Sequence, residues 1–268
     1  MERQEPNSDK TSVPATMVYS LLAAFRFLTL LPISWRADND VHYLKSSLYF
    51  YPVVGAVIGV IVGGIGFQLT HFLPFNLVAV IVIILLAVVS GCLHIDGLAD
   101  SCDGLLSGRP REKMLVIMRD SNVGAMGVIG IVAVFFLKYA AVSSLDRSLL
   151  FEALILMPLS GRISMLQMMA YLKYVRGKDG IGSSFFATDS KNIRMAAASG
   201  LLWFVVCLCF MPMEVIIPAV GLTLIMVFLF SWYCHKILGG FTGDTLGAVC
   251  ELSEAVVAIA MVISAQAL

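Results

Sequence analysis

Charge is what this sequence has least of. Only 13% of its 268 residues are Asp, Glu, Lys or Arg, about half the share carried by an ordinary soluble domain. That scarcity, with a mean hydropathy of +0.90, excludes a freely soluble globular chain. Net charge is missing too, because 18 basic and 18 acidic residues cancel. No global field therefore draws nucleic acid. There is no Walker A glycine-lysine element to cradle a nucleotide. Zinc-site spacing is absent as well: Cys92, Cys102, Cys207, Cys209, Cys234 and Cys250 lie in or beside apolar segments and read as small buried hydrophobes. Residues 1–16 lack the basic start, apolar middle and cleavage site of a signal peptide. They read as a flexible polar tail ahead of one integral membrane domain, 17–268.

What is present is a series of long apolar runs. A helix needs about 20 apolar residues to cross the roughly 30 Å hydrocarbon layer. The runs do not alternate as strands would, and an open sheet cannot satisfy its edges in lipid. The expected fold is all-α, a polytopic membrane bundle of about seven to eight segments: 17–33, 47–71, 75–93, 124–142, 149–172, 195–211, 215–234 and 246–268. The first is short, and is either a span or a re-entrant or interfacial helix. Gly55, Gly59 and Gly63 recur at four-residue spacing, which lets helix backbones approach closely.

The scarce charges are unevenly placed. Twelve of the 18 Lys and Arg fall on the side of the long polar loops 94–123, 173–194 and 236–245, and three, Arg3, Lys10 and Arg147, fall opposite. The positive-inside bias places the long loops in the cytoplasm.

The same loops carry the residues that promise chemistry. In HIDGLADSCDG, 94–104, Asp96, Asp100 and Asp103 stand at i, i+4 and i+7, within an arc of about 60° on a helix. Three carboxylates on one face repel one another unless a cation sits there, and hard oxygen ligands suit Mg²⁺ better than zinc. Arg119-Asp120-Ser121 precedes the next span, and GGFTGDTLGA, 239–248, brings Thr242 and Asp244 to the start of the last helix. Glu251 follows seven residues later, on the same face. Acids at membrane depth face a polar cavity by default, although Asp244 at a helix start also fits simple capping. Arg162, inside a span, pairs with an acid or reaches a phosphate. His94 is either an interfacial residue bonded to a neighbour or a proton-transfer group. Together these parts suggest a metal-assisted phosphoryl-transfer site at the membrane surface.

The segments 94–104, 119–127 and 239–248 with Glu251 after them, FRFLTLLPI at 25–33 and YPVVG at 51–55 resemble the cobalamin synthase family, the adenosylcobinamide-GDP ribazoletransferases. The resemblance runs from about residue 17 onward; Leu30 departs from it, standing where many members carry a basic residue. It implies an integral enzyme of the bacterial cytoplasmic membrane with its motif loops facing the cytoplasm. Such an enzyme joins adenosylcobinamide-GDP to α-ribazole or its 5′-phosphate, releasing GMP and depending on Mg²⁺. By the resemblance His94, Asp96, Asp100 and Asp103 are catalytic, the three aspartates hold metal, and Arg119, Asp120, Ser121, Arg162, Thr242, Asp244 and Glu251 contact substrate. Self-association, or association with other enzymes of nucleotide-loop assembly, is left open.

Two other readings stay in view. A CDP-alcohol phosphotransferase also uses aspartates on membrane helices, but Asp100 stands after Ala99 where that signature requires Arg. A cation-coupled transporter expects ionisable groups near the midplane and often repeated halves, whereas no internal repeat is visible and the acids gather at one interface.

Overall fold

In the computed structural model the described residues are 13–33, 40–176, 193–198, 200, 202, 205 and 212–267. They form helices α1 (Val13–Leu28), α2 (Asp40–Ser46), α3 (Tyr51–Leu69), α4 (Phe75–Val89), α5 (Leu93–Leu105), α6 (Arg111–Ile117), α7 (Ala125–Ser143), α8 (Leu150–Tyr171), α9 (Met213–Leu238) and α10 (Gly243–Ala267). Among these residues the sole β-type pairing is an isolated bridge between Tyr174 and Phe241. Helix α1 begins at Val13, four residues before the expected start of the membrane domain at residue 17.

Among the described residues five helical runs are long and apolar enough to cross a membrane: Tyr43–Leu69, Ala125–Ser143, Arg147–Tyr171, Met213–Leu238 and Gly243–Gln266. The protein is an all-helical, multi-pass membrane protein. The expected span 75–93 differs from the structure. Helix α4 stops after 15 residues at Val89, about 22 Å and short of the hydrocarbon thickness, and the chain turns by 88° into α5. The cause is local. Gly91 and Cys92 both take positive φ, 63° and 55°, and the N–H groups of Gly91 and Cys92 return to the carbonyls of Val88 and Ala87, a Schellman-type helix stop. With the bent pair taken as one span the described residues supply six. The expected seven to eight are not reached among the described residues: α1 is shorter than a span, and the segment 195–211 lies largely outside them.

Helices α8 and α10 form the centre. Helix α8 is buried along almost its whole length, and α10 packs against α5, α7, α8 and α9. Small residues allow the close crossings. A Cβ on Gly55 would stand 2.5 Å from the carbonyl oxygen of Pro158, and one on Gly59 2.5 Å from that of Leu154, so α3 lies backbone to backbone on α8. Gly161 of α8 likewise meets Cys250 of α10. Cys92, Cys102, Cys234 and Cys250 are free thiols.

Candidate active site

Helix α5, turned across the end of the bundle, crosses α10 through a second glycine pair. A Cβ on Gly97 would meet Asp244 and Gly247, and one on Gly247 would meet His94 and Gly97. The crossing brings two motifs together that are 150 residues apart in sequence, and around it lies a cavity of about 170 Å³ lined by Phe27, Tyr51, His94, Asp96, Met165 and Asp244. Asp96 is exposed at its edge and Asp100 half-buried. Asp100 lies within electrostatic reach of Asp244, Asp96, Asp103 and Arg176.

Asp244 does not stand free. Its carboxylate accepts a hydrogen bond from the guanidinium of Arg176, which also donates to the carbonyl of Met118 at 3.2 Å. Arg176 thereby ties the start of α10 to the end of α6. The segment before it is pinned: Val175 N–H donates to Phe241 O at 3.0 Å, Phe241 N–H donates to Lys173 O at 2.9 Å, and the Tyr174 and Phe241 rings meet edge to face. Thr242 is fully buried and caps α10 reciprocally with Thr245, since each backbone N–H donates to the other's hydroxyl at 2.9 and 3.2 Å. The Thr242 hydroxyl also faces Asp244 at 3.4 Å. Capping is thus the work of Thr242, and the Asp244 carboxylate is directed to the cavity and to Arg176.

Asp103, expected beside Asp96 and Asp100 as a metal ligand, is turned toward α7. Its two oxygens accept the N–H groups of Gly124 and Gly127 at 2.7 and 2.8 Å, satisfying donors that a helix start leaves open. A side chain on either glycine would collide with that carboxylate. Arg119, Asp120 and Ser121 are exposed. The Asn122 backbone N–H and side-chain amide both donate to Asp120 at 3.0 and 2.8 Å and hold its carboxyl below the usual carboxylate range.

Arg162 and Glu251 belong to a separate, buried cluster. Lys138 of α7 donates to Glu251 at 2.6 Å and to Glu254 at 2.7 Å. Arg162 donates to Glu254 at 2.6 Å and to the Ser90 hydroxyl at 2.7 Å. The same guanidinium faces His94 Nδ1 at 3.5 Å. Two cations and two anions neutralise one another, which is how charge is tolerated at this depth. Of the two partners open for Arg162, the structure supplies the acid.

The structure adds Arg176 and Lys138 to the residues expected from sequence, and pairs Glu254, which follows Glu251 in the last helix, with Lys138 and Arg162. Lys138 had a signal, because a lone cation within a span requires an anion. Arg176 had none, since nothing local ties residue 176 to Asp244. From sequence, Gly177, Gly180 and Gly182 permit movement of the 173–194 loop; they lie outside the described residues.

Chemically the site offers hard carboxylate oxygens from two helices with Arg176 beside them. Among the described residues no three His, Cys, Asp or Glu side chains gather closely enough to cage an ion by themselves. Mg²⁺ commonly takes one or two carboxylates and completes its shell with water and substrate phosphate. Asp96, Asp100 and Asp244 therefore fit a cation shared with a phosphate-bearing ligand, not a resident cage.

Comparison with known proteins identifies the family. The family model described as cobalamin-5-phosphate synthase matches residues 20–262. A protein of Acetivibrio thermocellus named adenosylcobinamide-GDP ribazoletransferase is 36% identical over 234 residues, covering 87% of this chain and 93% of its own length. Proteins of the same name from Geotalea daltonii and Clostridium botulinum (strain Langeland) are 34% and 35% identical, each aligned over 89% of this chain and over 94% and 95% of their own lengths. No solved structure matches the chain.

Proposed function

The chain belongs to the cobalamin-5-phosphate synthase family, and from that premise we propose that it joins adenosylcobinamide-GDP to α-ribazole or its 5′-phosphate. GMP is released and adenosylcobalamin or its 5′-phosphate is formed, the last assembly step of the cobalamin nucleotide loop. The observation that carries this reading is the Gly97–Gly247 crossing, which places Asp96 and Asp244 on one cavity wall, with Asp100 within electrostatic reach of both and of Arg176. The excess of Lys and Arg in the motif loops supports a site facing the cytoplasm from the bacterial cytoplasmic membrane.

In the reaction a ribose hydroxyl oxygen bonds to the phosphorus on the cobinamide side. The bond from that phosphorus to the GMP oxygen breaks, GMP leaves with the electron pair, and the hydroxyl proton passes to a group at the cavity edge. Asp96 and Asp100, with Asp244, would hold Mg²⁺, which when bound supplies charge neutralisation at the diphosphate. Arg176 and the exposed Arg119 would take the remaining phosphate oxygens, a task suited to a planar guanidinium. Asp103, with both oxygens committed to α7, positions the 119–124 segment that carries Arg119, Asp120 and Ser121.

Purified protein in detergent or liposomes, supplied with adenosylcobinamide-GDP and α-ribazole 5′-phosphate, tests the proposal. GMP and corrinoid product are expected in equal amounts, both requiring Mg²⁺. Absence of product from folded protein would overturn the reading.

A further inference from the structure

His94 is almost completely buried, with 2% of its surface exposed. It sits just beyond the 88° turn between α4 and α5, with one ring nitrogen directed inward and the other left over. Nδ1 faces the guanidinium of Arg162 at 3.5 Å. Nε2 has no hydrogen-bond partner, and the side chain lines the cavity shared with Asp96 and Asp244. A buried polar atom without a partner is costly. His94 is among the residues that line the cavity of Asp96 and Asp244, so an acceptor on a ligand bound there is the partner that the ring lacks.

Which ligand atom follows from the other end of the ring. A guanidinium carries donors only and does not lose its proton in a protein. A hydrogen on Nδ1 would point donor at donor, so Nδ1 presents its lone pair to Arg162 and the proton resides on Nε2. We infer that His94 is a fixed hydrogen-bond donor into the cavity, not the proton acceptor of the reaction, and that Arg162, Glu254 and Lys138 are the positioning residues that fix it.

The positioning chain is built for permanence. Arg162 cannot rotate away from His94 without abandoning Glu254 at 2.6 Å and Ser90 at 2.7 Å. Glu254 is held in turn by Lys138, which Glu251 also binds. Ser90 donates to the carbonyl of Leu86 at 3.1 Å and so anchors the cluster to the last turn of α4. All of these side chains are buried, so water offers little competition. The ring thus has a positive charge behind it and an N–H in front. Such a donor takes an acceptor oxygen, a phosphoryl oxygen or the leaving oxygen of a phosphate ester, in the manner of an oxyanion-hole group. With Nε2 already protonated, the proton of an attacking hydroxyl goes to a carboxylate at the cavity edge. Identifying the acceptor as a substrate oxygen rests on the transferase reading above; the assignment of the ring proton does not.

The decisive experiment is ¹⁵N NMR of protein labelled at its four histidines, with the His94 signals identified by their loss in His94→Gln. The wild-type protein is expected to show His94 protonated at Nε2 and bare at Nδ1. A ring protonated at Nδ1, alone or together with Nε2, would overturn the assignment. In Glu254→Gln, where Arg162 loses its anion, a second tautomer is expected to appear and kcat to fall with KM little changed. An unaltered His94 spectrum there would remove the positioning chain.

Turnover supplies an independent arm. A glutamine amide reaches about where imidazole Nε2 stands and donates, but cannot take a proton. His94→Gln is therefore expected to lose no more than about tenfold, against about 10²–10³-fold for His94→Ala. Equal losses in the two variants would return His94 to the role of base. A wild-type protein without transferase activity would sink the proposed reaction and still leave the spectrum to decide the tautomer.

Discussion

Gly97 and Gly247 meet backbone to backbone where α5 crosses α10. A Cβ on Gly97 would stand 2.8 Å from the carbonyl oxygen of Asp244 and 3.1 Å from the Cα of Gly247, and one on Gly247 would stand 2.9 Å from the carbonyl oxygen of His94. No flexible side chain is there to yield. Gly97→Ala and Gly247→Ala are each expected to cost about 1–3 kcal/mol by overpacking. Each is also expected to lower kcat/KM by about 100-fold, because the acids of α5 move away from Asp244. Thermal melting in detergent and steady-state kinetics read the two effects separately. Unchanged kinetics in both variants would show that the crossing does not set the site.

Asp96 and Asp103 share a helix face but are given different work, so the two asparagine variants should part company. Asp96 is exposed at the cavity, and Asp96→Asn is expected to reduce turnover by about 10²–10³-fold while leaving stability within about 0.5 kcal/mol. Asp103→Asn keeps only one acceptor for the N–H groups of Gly124 and Gly127. It is expected to cost about 1 kcal/mol, as the loss of a helix cap does, with a smaller kinetic effect. A matched pair of melting curves and rate measurements checks both.

Lys138 is the shared cation of Glu251 and Glu254, and all three side chains are buried. Lys138→Met strands an anion and is expected to destabilise the protein by about 3–5 kcal/mol. Lys138→Met combined with Glu251→Gln removes one charge of each sign, leaves Glu254 with Arg162, and is expected to recover a large part of that loss. A double variant no more stable than Lys138→Met alone would contradict the pairing.

Arg176 joins Asp244 to the carbonyl of Met118, with 15% and 16% of the two charged side chains exposed. A double-mutant cycle on Arg176→Gln and Asp244→Asn is expected to give a coupling of about 0.5–3 kcal/mol, the range for residues in contact. Activity is expected to fall in each single variant and not to return in the double, as the roles proposed for Asp244 toward the cation and for Arg176 toward phosphate require. Recovery of activity in the double variant would reduce the pair to a structural tie.

Much of this was legible in the residues themselves. Long apolar runs with little charge force a helical membrane bundle, because only internal hydrogen bonding satisfies a backbone in lipid. The spacing of Asp96, Asp100 and Asp103 defines a helix face in the same way, since both properties are local and periodic. Three-dimensional facts decided the rest. Successive left-handed residues at Gly91 and Cys92 end α4 early and turn α5 across the bundle, which no hydropathy average registers. Only that turn, followed by the glycine crossing, lets Asp244 meet residues 94–100, directs Asp103 to α7 and brings Arg176 to the site. Arg162, Lys138 and Glu254 each read alone as an expensive charge inside a membrane. Partnership between them is a long-range contact, and a charge acquires its role from whichever opposite charge the fold brings within reach.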